Sequence, residues 1–287
     1  MTLSLLNFLN ETQVAVPQIW DYVSASRLNL WMKCPLAFRR RYLDGVKTPP
    51  TPSLFVGKVV HETLDAVYRC ASVGESVRPH DVVPFVESAW ERILQAEPCG
   101  FDDSDQETKC FQQIADLVKT YISETNIDFE RPLAVERRFE TALVDPATGE
   151  DFGIPLVGVI DLVLDCDAGP VLVDFKTAAS ASFCDLQHEL QLTAYAWLIR
   201  ECLGREESAL EVRQLVKTKT AKIVTRIYPP RTERHFERFF AVVREYLEAL
   251  DRGVFNYRPS WNCSFCGHSG FCTNHVDRKE GPCENSF

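Results

Sequence analysis

No apolar run in the 287-residue sequence approaches the roughly 20 residues of a membrane-spanning helix. A transmembrane protein is therefore not expected. The opening stretch, MTLSLLNFLNETQVAVP, has neither a basic segment nor a cleavage-like site, so no secretory leader is read and the cytoplasm is the expected location. An excess of positive charge is also missing: 31 Lys and Arg face 41 Asp and Glu, for a net charge of −10. That balance argues against bulk electrostatic binding of nucleic acid and leaves room for a local basic groove. Internal repeats and low-complexity tracts are absent.

Eleven cysteines are present. Their odd number, uneven spacing and the lack of a leader disfavour a disulfide framework and favour a metal or cluster site. Cys70, Cys99, Cys110, Cys166, Cys184 and Cys202 are scattered and read as small hydrophobes of the core. Hydrophobic content of 45% and charged content of 25% are those of a globular protein with a substantial core. The chain reads as one domain over 1–287, with a helical region at 20–130, a sheet core at 131–230, and a helix with a cysteine cluster at 231–287.

Ser24 and Ser26 offer helix caps, and Pro35 divides the first helical stretch into two short helices or a kinked one. Helical periodicity follows over 53–71, and two more helices are expected near 81–96 and 106–125. The pattern then changes. Residues 133–144, 154–166 and 170–178 are rich in β-branched residues and divided by turn signals, which predicts three consecutive strands. A helix over 188–204, two strands within 210–229 and an amphipathic helix over 233–250 complete the order. Strands and helices do not alternate regularly, so the predicted fold is an α/β mixed sheet flanked by helices rather than a doubly wound sheet. Basic residues gather at Arg39–Arg41, Arg137–Arg138, Lys217/Lys219/Lys222 and Arg231/Arg234/Arg238. Each cluster alone reads as a solvated face, with Arg39–Arg41 and Arg231–Arg238 as candidates to line a nucleic-acid channel.

Chemistry concentrates in two places. In VLVDFKTA, Asp174 and Lys176 share a strand face because side chains repeat every two residues. Asp161 lies in the preceding strand between Ile160 and Leu162. A carboxylate in an apolar strand is costly to bury unless it is paired or metal-bound. Two carboxylates and a lysine on adjacent strands suit Mg²⁺ or Mn²⁺, which prefer oxygen ligands, and water activation for attack on a phosphate. The second place is the tail, where Cys263, Cys266 and Cys272 stand in the pattern C-x2-C-x5-C. Zinc with His275 as fourth ligand, or an iron–sulfur cluster with a distant Cys34, both fit this spacing.

Taken in order, residues 24–43, GKVVHETLD, GVIDLVLD, VDFKT and QLTAY resemble the PD-(D/E)xK nuclease superfamily. Within it the sequence is most similar to RecB-like exonucleases carrying an iron–sulfur cluster, the branch of the AddB nuclease domain, exonuclease V and the CRISPR-adaptation exonucleases. The resemblance runs from about Ser24 to His275. It implies a restriction-endonuclease-like core in which His61, Asp161 and Asp174 bind the metal with the backbone carbonyl of Phe175. It also implies Lys176 as the catalytic lysine, Gln191 and Tyr195 as a helical motif beside it, and Glu136 as a further acidic ligand. It favours a [4Fe–4S] cluster on Cys34, Cys263, Cys266 and Cys272 over zinc, and makes Cys283, His268 and His275 bystanders.

The implied activity is metal-dependent hydrolysis of single-stranded DNA from an end, in repair, recombination or phage- or CRISPR-type processing. A helicase or a CRISPR integrase is the implied partner. The alternatives are a nuclease that trims spacer precursors, a non-catalytic DNA-binding subunit with a structural cluster, and a zinc-dependent interaction module. The stretch 75–130 carries no matching motif and reads as an insertion or DNA-guiding element.

Overall fold

The computed structural model describes residues 19–182 and 188–272. Cys184, His275 and Cys283 lie outside these residues. Ser24 caps α1 (Ala25–Lys33) by accepting the Arg27 N–H at 3.3 Å. Pro35 opens α2 (Pro35–Tyr42), the position at which its missing N–H costs nothing. Next come α3 (Pro52–Ser72), α4 (Val82–Ala96) and α5 (Ser104–Glu124). The acidic run near 101–107 is explained by α5: Asp103 caps it, and Asp105 and Glu107 sit in its first turn, at the positive end of the helix dipole. Three strands follow, β1 (Pro132–Val144), β2 (Asp151–Leu164) and β3 (Val171–Ala178). The chain closes with α6 (Glu189–Leu203), β4 (Ala209–Val216), β5 (Lys222–Tyr228) and α7 (Glu233–Asp251).

The five strands form one sheet in the order β1-β2-β3-β4-β5. Only β3 and β4 run parallel; the other neighbours are antiparallel. The parallel step needs a crossover, and α6 supplies it. Helices α1, α2, α6 and α7 cover one face around Phe38, Leu156, Leu172, Leu198 and Phe240. Helices α3, α4 and α5 cover the other around Phe55, Leu64, Tyr121, Val173 and Phe175. The stretch 75–130 thus supplies, through α4 and α5, part of the packing on this second face.

Two glycines let helices approach the sheet closely. A Cβ on Gly158 of β2 would stand 2.6 Å from Leu198 Cδ1 on α6. One on Gly57 of α3 would stand 3.0 Å from Thr177 Oγ1 on β3.

The scattered cysteines depart from expectation. Cys70, Cys99, Cys110 and Cys166 are half-buried and Cys202 is exposed. Branched and aromatic side chains fill both faces of the sheet, and Cys99, Cys110 and Cys166 only pack against the rim of the second core.

A buried charged group lies where the sequence shows an ordinary strand. Arg213 of β4 donates to the hydroxyls of Tyr121 at 2.7 Å and Tyr68 at 3.1 Å. It also pairs with Glu130 and Glu211, each at 2.8 Å. The Tyr68 and Tyr121 rings then pack on Phe175, with centroids at 6.0 and 5.6 Å.

The tail docks on α1 and α2. Leu36 N–H donates to the Asn256 carbonyl at 3.3 Å, and Arg258 Nη1 donates to the Met32 carbonyl at 2.6 Å. The Arg40 guanidinium lies 3.2 Å from the centre of the Phe271 ring.

Candidate active site

Strands β2 and β3 pair from Leu164 opposite Val171 to Leu162 opposite Val173. Asp161 and Asp174 are the next residues on each strand, where the antiparallel pairing has ended. Strand β3 keeps its partner β4 through Ala178. The freed edge of β3 still makes one link: the Phe175 N–H donates to Asp161 Oδ2 at 2.7 Å. The two carboxylates therefore stand at a fork in the sheet, with Asp161 held from behind by the backbone.

Side chains from both covering layers complete the group. Lys176 Nζ lies 2.7 Å from Asp174 Oδ1 and 2.6 Å from Oδ2. From α6, Gln191 Nε2 donates to Asp174 Oδ1 and to the Tyr195 hydroxyl, both at 2.8 Å. From α3, His61 Nδ1 lies 3.5 Å from Asp161 Oδ2. Glu136 occupies β1 with φ +42, left-handed backbone in a strand that is otherwise extended. The strand register would place it opposite Asp161, and the pairing skips it.

The charges interlock. Burial pushes the Asp161 carboxyl up, but His61, Lys176 and the Phe175 amide together bring it below the usual carboxylate range. Burial raises the Asp174 carboxyl and outweighs Lys176. Burial lowers the Lys176 ammonium, yet Asp174 and Asp161 hold it above the ordinary lysine value. His61 is likewise held up by Asp161 against its burial. Burial, with Asp161 beside it, raises the Glu136 carboxyl to about 7. Tyr195 is pushed well above the usual phenol by burial and the two aspartates, so it remains a hydroxyl.

The donor set suits a hard divalent cation: two carboxylates, an imidazole, and a buried Asp174 Oδ2 that has no well-directed hydrogen bond despite the nearby ammonium. Among the described residues, no three His, Cys, Asp or Glu side chains are gathered into a ready ligand shell. Lys176 and Gln191 engage Asp174, and His61 engages Asp161.

The cysteines of the tail approach Cys34, which joins α1 to α2. Burial, followed by Cys266, Cys34 and Cys263, raises the Cys272 thiol, but among the described residues the four thiols do not gather into a metal-ligand shell. Cys263 sits in a short turn over Trp261–Phe265, and the Ser260 N–H donates to its sulfur at 3.4 Å. Of the basic clusters, Arg231 is buried beside Glu207, whose Oε1 accepts its N–H at 2.7 Å. Arg238 pairs with Glu189 at 2.7 Å. Neither reaches the carboxylates.

Sequence reading places His61, Asp161, Asp174, Lys176, Gln191 and Tyr195 together, and the structure brings them together. It does not anticipate the Phe175 amide or the Tyr68–Tyr121–Arg213 network behind it. The adjacent polar pair Arg213-Gln214, which breaks the alternation of β4, is a signal that could have pointed there.

No curated protein matches the chain. A solved structure from Eubacterium rectale, described as a "putative exonuclease", overlays with a TM-score of 0.56 at 15% identity, covering 99% of this chain and 97% of that one. That likeness is one of fold. The structure of SSO0001 overlays at TM-score 0.37 and 14% identity over 87% of this chain and 96% of that one, too loosely to carry an argument. The family described as the PD-(D/E)XK nuclease superfamily matches residues 22–273, a span that contains every side chain of the forked carboxylate site and the cysteines of the tail. The chain belongs to the PD-(D/E)XK nuclease superfamily.

Proposed function

We propose that the protein is a Mg²⁺- or Mn²⁺-dependent deoxyribonuclease that degrades single-stranded DNA from an end. The observation that carries this reading is the pair Asp161 and Asp174 at the fork of β2 and β3, with Lys176 against Asp174. Asp161, Asp174 and His61 are the residues that would hold the cation, with Glu136 and the Phe175 carbonyl completing the set. When bound, such an ion supplies Lewis-acid chemistry, polarising a phosphoryl oxygen and acidifying water.

The chain's own groups do the rest. Lys176, kept as an ammonium by two carboxylates, shields the negative charge that grows on the phosphate during attack. Gln191 fixes the rotamer of Asp174 through its amide and is itself fixed by Tyr195. The Phe175 N–H fixes Asp161. The geometry is rigid before substrate arrives, which is what electrostatic preorganisation requires.

We assign Cys34, Cys263, Cys266 and Cys272 to a [4Fe–4S] cluster that closes the tail onto α1 and α2. The Arg258–Met32 and Leu36–Asn256 contacts, which seat the tail on the helices flanking Cys34, support it. A cluster of this kind contributes to folding as well as to shape.

End-labelled single-stranded DNA with Mg²⁺ or Mn²⁺ tests the activity. Lys176→Ala and Asp174→Ala are expected to slow digestion by at least about a hundredfold. Digestion at the parent rate would overturn the catalytic assignment. Iron, sulfide and zinc measured on anaerobically purified protein test the cluster: Cys34→Ala is expected to lose the iron. Stoichiometric zinc in the parent, or full iron in the Cys34 variant, would refute it.

A further inference from the structure

The tail exposes aromatic rings that pack against nothing in the core. Trp261 is 76% exposed, Phe265 is 83% exposed and Tyr257 is 60% exposed. The Trp261 and Phe265 rings stand edge to face with centroids 6.4 Å apart. Large apolar rings held out in water mark a surface that meets something.

The charge around them says what. Residues 33–47 and 252–272 together hold seven Arg or Lys and one acidic residue, Asp44. These segments carry a net charge of +6 inside a chain of net −10. Asp44 is spent locally on Arg39 and Arg40. The partner is therefore an anion with flat apolar faces. A single nucleic-acid strand offers both, because its unpaired bases present open π faces between phosphates. A duplex hides those faces in its own stack, and an acidic peptide has none to offer in series.

The position fits delivery to the carboxylate site. Gly267 of the tail abuts Thr48, where an added Cβ would meet Cγ2 at 2.9 Å. Thr48 lies in the loop that Thr51 ends by capping α3. Gly57 on α3 then abuts Thr177, the neighbour of Lys176.

The geometry points to Trp261 and Phe265 as a base-stacking platform that grips the unpaired strand ahead of the catalytic fork, with Lys33, Arg39 and Arg41 at its phosphates. This inference rests on the nuclease reading above and names how that site takes its substrate.

The test is anisotropy of a fluorescein-labelled oligothymidylate titrated with the purified full-length protein in EDTA, so that binding is read without cleavage. Trp261→Ala/Phe265→Ala is expected to weaken binding about fivefold or more while leaving the salt dependence unchanged. Trp261→Tyr, which keeps a ring, is expected to bind nearly as the parent does. Lys33→Ala/Arg39→Ala is expected to flatten the salt dependence. Unchanged affinity in the double aromatic variant would overturn the platform, as would an equal loss on a blunt duplex of the same length. Should that variant fold poorly, the comparison of Trp261→Tyr with Trp261→Ala decides the question alone. A parent that binds the strand but leaves it intact in Mg²⁺ would overturn the nuclease reading and not this one.

Discussion

Gln191 and Asp174 sit on different elements and meet at 2.8 Å, the amide of α6 donating to the carboxylate of β3. The second N–H of the same amide goes to Tyr195 one turn later. The amide is therefore saturated and cannot rotate without losing a bond. Gln191→Glu places a second carboxylate against Asp174, whose own carboxyl burial already raises. The expected outcome is a loss of nuclease rate of about tenfold to a hundredfold, the scale of a hydrogen bond to a charged group. Tyr195→Phe is expected to lose less. Single-turnover rates on end-labelled DNA check the order.

Glu136 gives a pH prediction. Its folded-state carboxyl titrates near 7 against an ordinary 4.5. The folded protein therefore holds that proton more tightly than the unfolded chain, and stability falls as pH rises through this window. The residue is exposed, so solvent screens part of the repulsion and makes the stability change smaller than the full shift implies. Relative to Glu136→Gln, the parent is expected to lose thermal stability between pH 4.5 and about 7 without divalent cation, and to recover it with Mg²⁺. Melting curves of the two proteins across that range read it directly.

Arg213 predicts a large stability effect far from any substrate. Removing it leaves the half-buried Glu130 and Glu211 carboxylates without their cation, while the Tyr68 and Tyr121 hydroxyls keep only each other and Glu130. Arg213→Met is expected to cost about 3–5 kcal/mol, measured by urea denaturation.

Gly158 predicts a packing effect. An alanine there meets Leu198, which is fully buried. Gly158→Ala is expected to destabilise by about 1–3 kcal/mol through overpacking. Adding Leu198→Ala is expected to cost less than the two single changes summed, because the methyl fills part of the cavity left behind. A double-mutant cycle reads the coupling.

Much of this was legible in the sequence, for reasons that can be named. Pro35 and Ser24 mark helix ends because their chemistry is local. Asp161, Asp174 and Lys176 stand out because charge inside β-branched runs violates a simple pattern. The parting of β2 and β3 beyond Leu162 and Val173 is not written in either strand, since no glycine, proline or turn signal stands at that point in either run. The left-handed backbone at Glu136 is equally silent, as glycine is the usual marker of such a conformation. The half-buried cysteines mislead because a thiol suits core and rim alike.

The contact between Arg258 and the Met32 carbonyl spans 226 positions. A ribosome delivers α1 and α2 long before the segment that docks on them. The sheet, with its carboxylates, is complete once β5 has emerged. Closure of the tail over α1 and α2 is thus among the last events in the making of the molecule. A chain cut short before Arg258 would carry every catalytic side chain and the α7 packing of its first helices, yet leave bare the side of those helices on which the tail docks, an open surface that marks the molecule as unfinished.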